Sequence, residues 1–148
     1  VIVAGDTDIE LRRAAVLAFY DVGSDGALYV GNALWNQNPL LVEPSLQGGL
    51  FSTRPSNLDK RFDADWTEIW AEPAGHLARV GFDAMALVAA LSKSNHRDWS
   101  KQLVSNSGFQ GYSGAFRLLP NGRNIRSFEL RKINEGEAKI IRPAPNKI

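Results

Sequence analysis

The sequence has 148 residues, 44% of them hydrophobic and 22% charged, which is the composition of a globular domain that can bury a core. Seventeen Lys and Arg residues stand against sixteen Asp and Glu residues, and a formal charge of +1 excludes the broad positive field that a nucleic-acid partner requires. The longest apolar stretches are far shorter than the roughly 20 residues of a membrane-spanning helix. The absence of cysteine excludes disulfides, thiolate zinc sites and cysteine nucleophiles.

The first third of the chain alternates strand-like and helix-like segments. Residues 1–4 form an apolar, β-rich run with neither an initiator Met nor a signal peptide, so we expect the chain to begin inside a fold. Such alternation predicts an α/β fold with a parallel sheet. The predicted order is a strand at 1–4, a turn at 5–8, a helix at 9–20, a strand at 27–30, a polar and aromatic turn at 31–38, a helical or irregular segment at 39–46, and a strand at 49–52.

The carboxyl ends of these strands carry polar side chains. Ligands of open parallel sheets usually lie beyond those ends. In the turn after the second strand, Trp35 could either line a cleft or simply pack into the core, and the sequence leaves both interpretations open. The predicted ligand-binding cleft is formed by Asp6, Thr7, Asn32, Trp35 and Asn36.

The middle third has the spacing of helices. Ser56 and Asp59 resemble a capping box that begins an amphipathic helix, and a shorter helix is predicted at 98–104. Residues 77–91 are apolar on more than one face, which predicts a deeply buried helix. Three tryptophans fall on helical apolar faces and are predicted to be core residues: Trp66, Trp70 and Trp99.

The last third has the pattern of short strands and turns. Strands at 114–119 and 127–132 are predicted to be joined through the turn at 120–122, and a third strand at 138–141 follows the turn at 134–136. The tail at 143–148 contains two prolines and is expected to be extended. A basic cluster is predicted to form a solvated hairpin face: Arg123, Arg126, Arg131 and Lys132.

No pattern in the sequence predicts an enzyme. His76 and His96 are isolated, which argues against a transition-metal site, and Asp6 and Asp8 are better explained as helix-capping residues than as an acid–base pair. Ser113 lies in a Gly-Tyr-Ser-Gly segment that resembles a nucleophile elbow, but Ala follows where a Gly is needed and a strand follows where a helix is needed. We therefore predict no catalytic residue, no metal and no cofactor.

Three stretches together resemble a known family. They are "YDVGSDGALYVGNALWNQNPLLVEPSLQGGLFSTRP" from Tyr20, "ARVGFDAMALVAAL" from Ala78, and "GFQGYSGAFRLLPNGRNIRSFELRKINEGEAKIIRPAP" from Gly108. In this order they resemble penicillin-binding protein activator lipoproteins, which are related to the leucine/isoleucine/valine-binding proteins. The resemblance implies a type I periplasmic-binding-protein fold, which has two α/β lobes with a cleft between them.

On that fold, the resemblance assigns residues 1–55 to the second lobe, 56–107 to helices of the first lobe, 108–142 to hinge and return strands, and 143–148 to a tail. Both lobes are then incomplete, and we expect exposed apolar surface that pairs with a missing N-terminal portion or with a second copy by swapping. The implied location is the periplasm, with an outer-membrane lipid anchor that lies outside this chain.

The resemblance implies a non-enzymatic regulator of peptidoglycan synthesis that contacts a penicillin-binding protein. The alternative is a solute-binding receptor of an ABC transporter, which closes around an amino acid or another small polar ligand. Amino-acid-binding relatives place an acidic residue in the turn after the second strand, where residues 31–35 have none. This difference argues against a zwitterionic amino acid as the ligand.

Overall fold

The computed structural model describes residues 28–72, 74–75, 77–93 and 98–148. The strand and helix predicted at 1–20, together with Asp6 and Thr7, lie outside the described residues, as do His76 and His96. Between Val30 and Arg142 the described elements are β1 (Val30–Gly31), α1 (Asn38–Leu41), β2 (Leu50–Thr53), α2 (Ser56–Trp70), α3 (Ala78–Ser92), α4 (Trp99–Leu103), β3 (Phe109–Gly111), β4 (Gly114–Leu118), β5 (Asn124–Arg126), β6 (Glu129–Asn134) and β7 (Glu137–Arg142). Short 3-10 helices cover Ala33–Trp35 and Pro44–Leu46.

The chain divides into two compact units. The first contains the described residues up to Thr53 together with Glu129–Pro143, and the second contains Arg54–Phe128 and Ala144–Ile148. The assignment of these segments to lobes and hinge stays a prediction.

The first unit is a four-stranded sheet in the order β1, β2, β6, β7. β1 and β2 are parallel, whereas β6 is antiparallel to both β2 and β7. The turn between β6 and β7 contains Glu135 and Gly136 at positive φ, which confirms the turn predicted there. One face of the sheet is covered by a core cluster: Tyr29, Trp35, Leu40, Leu41, Leu46, Phe51 and Ile133.

The second unit joins α2, α3 and α4 to an antiparallel sheet in the order β3, β4, β5. Arg79 of α3 is buried and forms ion pairs with Asp59 and Asp63 of α2, which ties the two long helices together. Its guanidinium also lies over the Phe62 ring, 5.2 Å from the centroid.

Two predictions about this unit are wrong. α2 begins at Ser56 with Pro55 in the capping position, one residue before the capping position that we predicted. The turn at 120–122 joins β4 to β5, where Phe116 pairs with Arg126, and not to the strand predicted at 127–132, whose residues belong to β6 in the other sheet.

The predicted burial of the helices is also corrected. The side of α3 that carries Leu77 and Met85 is exposed, because within the described residues the helix packs through its opposite side. Trp70 and Trp99 are exposed as well, so their assignment to the core is wrong within the described structure, whereas Trp66 is half-buried and packs against Phe62. α4 confirms the helix predicted at 98–104, with Asp98 accepting a hydrogen bond from the Lys101 N–H at 3.2 Å.

Candidate functional site

The loop that follows β1 lies at the carboxyl end of the parallel strand pair. Asn32 begins this loop, and its Oδ1 accepts a hydrogen bond from the N–H of Leu34 at 3.0 Å. This cap starts the 3-10 turn that carries Trp35 into the core and leaves Asn32 and Asn36 exposed on either side. We refer to this loop, together with the neighbouring start of β6, as the carboxyl edge.

Trp35 is the core residue of this loop. Its side chain is 1% exposed, and its ring centroid lies 6.5 Å from that of Phe51. A Cβ atom on Gly31 would lie 2.2 Å from Cε2 of the indole, so glycine is needed there for the ring to pack. Of the two interpretations of Trp35, packing is the one seen in the structure, and contact with a ligand stays a prediction.

Asn36 is held by a buried ion pair at the start of β6. Its Oδ1 accepts a hydrogen bond from Nη1 of Arg131 at 3.0 Å, and Nε of the same guanidinium donates to Oε1 of Glu129 at 2.7 Å. Nη2 of Arg131 also contacts that oxygen. Because both charged side chains are buried, the pair fixes the orientation of the Asn36 amide. The amide oxygen is engaged, so Asn36 offers its N–H groups to any other partner.

Sequence reasoning missed Arg131 and Glu129 as part of this edge. Arg131 was assigned to a solvated basic face, which is wrong, because it is buried beside Glu129. The available signal was the alternation along β6, in which Glu129, Arg131 and Ile133 occupy the buried positions. Two opposite charges at alternate positions on the inward face of a strand indicate a buried pair.

The acidic residue at the carboxyl edge is therefore already neutralised. The carboxylate of Glu129 is paired with Arg131, and the loop at 32–36 contributes only neutral side chains. Among the described residues of this edge, no carboxylate without a cationic partner stands ready for a ligand ammonium group. Within the residues that the structure describes, this edge offers hydrogen bonds from the amides of Asn32 and Asn36.

Ser113, whose segment resembles a nucleophile elbow, belongs to a structural network in the second unit. It lies in the two-residue turn between β3 and β4, is buried, and donates through Oγ to the carboxylate of Asp83. Its Oγ also accepts from Nη1 of Arg126 at 2.9 Å. Asp83 further accepts the N–H groups of Tyr112, at 2.7 Å, and Ser113, at 2.9 Å.

This network explains both the glycine before the turn and the role of the serine. A Cβ atom on Gly111 would lie 2.4 Å from Cγ of Asp83, so the hairpin can approach the carboxylate only with glycine there. The serine hydroxyl is tied between a carboxylate and a guanidinium, and it is not open to a substrate. The contacts of Ser113 therefore support a structural role for this residue in the turn.

Tyr112 connects the same turn to α2. Its hydroxyl donates to Oδ2 of Asp65 at 2.6 Å, and this hydrogen bond raises the pKa of Tyr112 above its ordinary value of 10.0. Desolvation and the charge of Asp65 raise the pKa further, while Arg61, with Cζ 6.0 Å from the ring centroid, lowers it. The ring packs edge-on against Phe62 and Phe82, with centroids 5.1 Å and 5.3 Å away.

Metal binding and membrane insertion find no support in the described part of the chain. Across residues 28–148, leaving out the gaps named above, no three His, Cys, Asp or Glu side chains are grouped so that they could hold a metal ion. None of the described helices combines the length and the apolarity that crossing a bilayer requires.

Three solved structures are similar to this chain in fold. A leucine-binding protein LivK from Thermotoga maritima matches 94% of this chain at 20% identity with a TM-score of 0.58, and a putative branched-chain amino acid ABC transporter protein from Rhodospirillum rubrum matches 88% at 16% identity with a TM-score of 0.69. The branched-chain amino acid substrate-binding protein LivJ from Streptococcus pneumoniae, solved with isoleucine, matches 96% at 16% identity with a TM-score of 0.53. This chain spans 42%, 42% and 44% of their lengths, respectively.

These matches establish the type I periplasmic-binding-protein fold for the α/β structure described above. No protein family and no curated protein matches the sequence.

Proposed function

We propose that this chain is part of a solute-binding receptor of an ABC transporter, and that the carboxyl edge faces the solute. The observation that carries the proposal is the fold match over 88–96% of the chain to three proteins described as binding or transporting leucine or branched-chain amino acids. The position of Asn32 and Asn36 beyond the carboxyl end of β1 supports it, since open α/β sheets bind ligands there.

The chemistry of the edge favours a solute without an ammonium group. An amino acid needs an acidic partner for its ammonium, and Glu129, the acidic side chain that the described structure places here, is paired with Arg131. Asn36, oriented by that pair, can donate hydrogen bonds to a carbonyl or carboxylate oxygen of the solute. The proposed solute class is therefore small carboxylic or keto acids of the size of a branched-chain amino acid.

The test is a thermal-shift screen of the full-length gene product. The panel contains leucine, isoleucine and valine, and the 2-keto acid that corresponds to each. A receptor of the proposed kind is stabilised by the keto acids in proportion to the logarithm of their concentration, and the amino acids stabilise it less. Stabilisation by amino acids alone would contradict the solute class while keeping the receptor, and no stabilisation by any of them, or by a wider panel of small acids, would contradict the receptor.

A matched pair of variants tests the carboxyl edge. Asn36→Ala removes the amide that Arg131 orients, and we expect it to weaken binding by about 10-fold, the effect of one hydrogen bond lost in a site. Asn57→Ala, on the exposed surface of α2, is the control and leaves affinity unchanged. Equal affinities for the two variants, measured by calorimetry, would remove Asn36 from the site.

The other function that the sequence resemblance implied, regulation of peptidoglycan synthesis through a penicillin-binding protein, has no support in the comparisons. A flat solute screen together with binding to a purified penicillin-binding protein would favour it. For the receptor we propose a location in the periplasm, which cell fractionation can test. The lipid anchor in the outer membrane likewise has no support beyond the resemblance.

A further inference from the structure

The indole N–H of Trp35 is a buried donor that lacks an acceptor within the described part of the chain. Its nitrogen, Nε1, is enclosed, and no group in the described ranges between 28 and 148 accepts a hydrogen bond from it. An indole nitrogen can only donate, so no change of protonation or tautomer can satisfy it. Buried donors in folded proteins nearly always have a partner, which makes this N–H a place where a further acceptor is expected.

This donor lies at the carboxyl end of β1. A Cβ atom on Gly31, the last residue of that strand, would lie 2.6 Å from Nε1. Gly49, just before β2, gives the ring its second close approach, since its Cβ atom would lie 2.9 Å from Cζ3. Gly31 is half-buried and has no side chain, so Nε1 lies close to the molecular surface although it is itself enclosed. The carboxyl ends of parallel strands are where open α/β sheets bind ligands.

Two exposed amides flank the ring and present N–H groups as well. Oδ1 of Asn32 accepts the N–H of Leu34 at 3.0 Å, and Oδ1 of Asn36 accepts Nη1 of Arg131 at 3.0 Å. With both oxygens engaged, the Nδ2 groups of the two amides remain for another partner. We call the N–H groups of Asn32, Trp35 and Asn36 the donor triad.

A carboxylate is the chemical complement of the donor triad. It carries two oxygens with about four lone-pair sites and no donor of its own, whereas an ammonium group carries donors alone. Hydrogen bonds to an ionised group are stronger than those between neutral groups, and they gain further strength where water is excluded, as it is around Nε1. The enclosed member of the triad therefore has the largest effect on which solutes bind.

We propose that the indole N–H of Trp35 donates a hydrogen bond to a carboxylate oxygen of the solute. Trp35 is then a specificity-determining residue in addition to a core residue, and solute binding supplies the acceptor that Nε1 lacks among the described residues. This inference rests on the proposed function, because it assigns a contact within the same site. It adds a donor from the core to the two surface amides.

A pair of tryptophan variants tests the contact in the full-length gene product. Trp35→Phe keeps an aromatic ring in the core and removes the N–H, and we expect the affinity for the 2-keto acid that corresponds to leucine to fall about 10-fold in calorimetry. Trp66→Phe is the matched control. Its Nε1 is likewise enclosed without an acceptor among the described residues, but it lies on α2 between the rings of Phe62 and Trp70, so its loss should leave the affinity unchanged.

A measurement on the unaltered protein gives an answer even where Trp35→Phe fails to fold. The indole N–H resonance of Trp35 is assigned in an NMR spectrum through its contact with the α-protons of Gly31, and it is followed while the same keto acid is added. The proton should move downfield as the receptor becomes saturated, because it enters a hydrogen bond to a carboxylate. The corresponding resonance of Trp66 should stay in place.

The outcomes separate this contact from the receptor function. Equal affinities for the two folded variants, or an unmoved Trp35 resonance in a receptor that calorimetry shows to be saturated, would overturn the contact and leave the receptor in place. In that case a water molecule or a residue outside the described ranges is the acceptor of Nε1. If the unaltered receptor bound none of the three 2-keto acids, the proposed solute class and the role of Trp35 would both be overturned.

Discussion

Nε of Arg131 lies 2.7 Å from Oε1 of Glu129 on the inward face of β6, and both side chains are buried. Removing one member of a buried pair leaves an uncompensated charge, which costs more than the pair itself contributes. We therefore expect Arg131→Ala to lower the free energy of unfolding by about 3–5 kcal/mol in urea denaturation. Replacing both residues, Glu129→Leu with Arg131→Met, should cost less than the single change.

The neighbouring Lys132 provides the control for that measurement. It lies on the other side of β6 and is exposed, so Lys132→Ala should change the free energy of unfolding by less than about 0.5 kcal/mol. If Arg131→Ala and Lys132→Ala gave the same small loss, the buried pair would not exist in solution.

Asp83 should be a key residue for the stability of the second unit. Asp83→Ala leaves the N–H groups of Tyr112 and Ser113 without their acceptor in a buried turn, and it also leaves a space against Gly111. We expect a loss of about 3 kcal/mol in the free energy of unfolding, because each unsatisfied buried group costs about 1–3 kcal/mol. Glu68→Ala, on the exposed side of α2, is the matched acidic control, and an equal effect of the two changes would contradict the network.

Two glycines should respond in opposite directions to the same substitution. Gly31→Ala would place Cβ 2.2 Å from the Trp35 ring, and the resulting overpacking should cost about 1–3 kcal/mol. Gly81→Ala in the middle of α3 meets nothing within 4 Å, and it should stabilise the 148-residue chain by about 0.5–1 kcal/mol because alanine favours the helix. Chemical denaturation of both variants measures these changes in the free energy of unfolding. If Gly31→Ala were stabilising, the Trp35 ring would not lie against Gly31.

Local patterns in the sequence predicted most of the described elements. The turn at 134–136 and the β-rich runs around it predict β6 and β7, and the apolar spacing predicts α2 and α3 within a residue or two. β5 was missed because a three-residue strand with the single apolar residue Ile125 has no periodic signal. The tight turn before β5 sets its pairing with β4. The next strand, β6, begins at Glu129 and pairs with β2 in the other sheet.

Burial was harder to predict than secondary structure. The apolar spacing of α3 predicts that the helix packs against other residues on more than one side, but it does not predict which residues these are. The charge of Arg131 suggested a solvated position, whereas its strand position, two residues before the buried Ile133, determines the burial. For the candidate site, the sequence predicted that Asn32 and Asn36 lie in the turn after the strand. It did not predict the ion pair that orients Asn36, because Arg131 lies 95 residues further along the chain.

The hydrogen bond between Tyr112 and Asp65 should make stability depend on pH in the alkaline range. The phenol donates this bond only while it is protonated, and the folded-state pKa is raised above the ordinary value of 10.0. The folded state therefore holds the proton more tightly than the unfolded state, so the stabilisation is fully present below pH 10 and declines as the pH rises through the higher folded-state pKa.

Tyr112→Phe keeps the ring contacts with Phe62 and Phe82 and removes the titrating group. The difference in free energy of unfolding between the wild-type chain and this variant should be constant from pH 7 to about pH 9 and shrink above about pH 10, as measured by urea denaturation across that range. A difference that grew with rising pH would contradict the raised pKa, because it would mean that the ionised phenolate is favoured in the folded state.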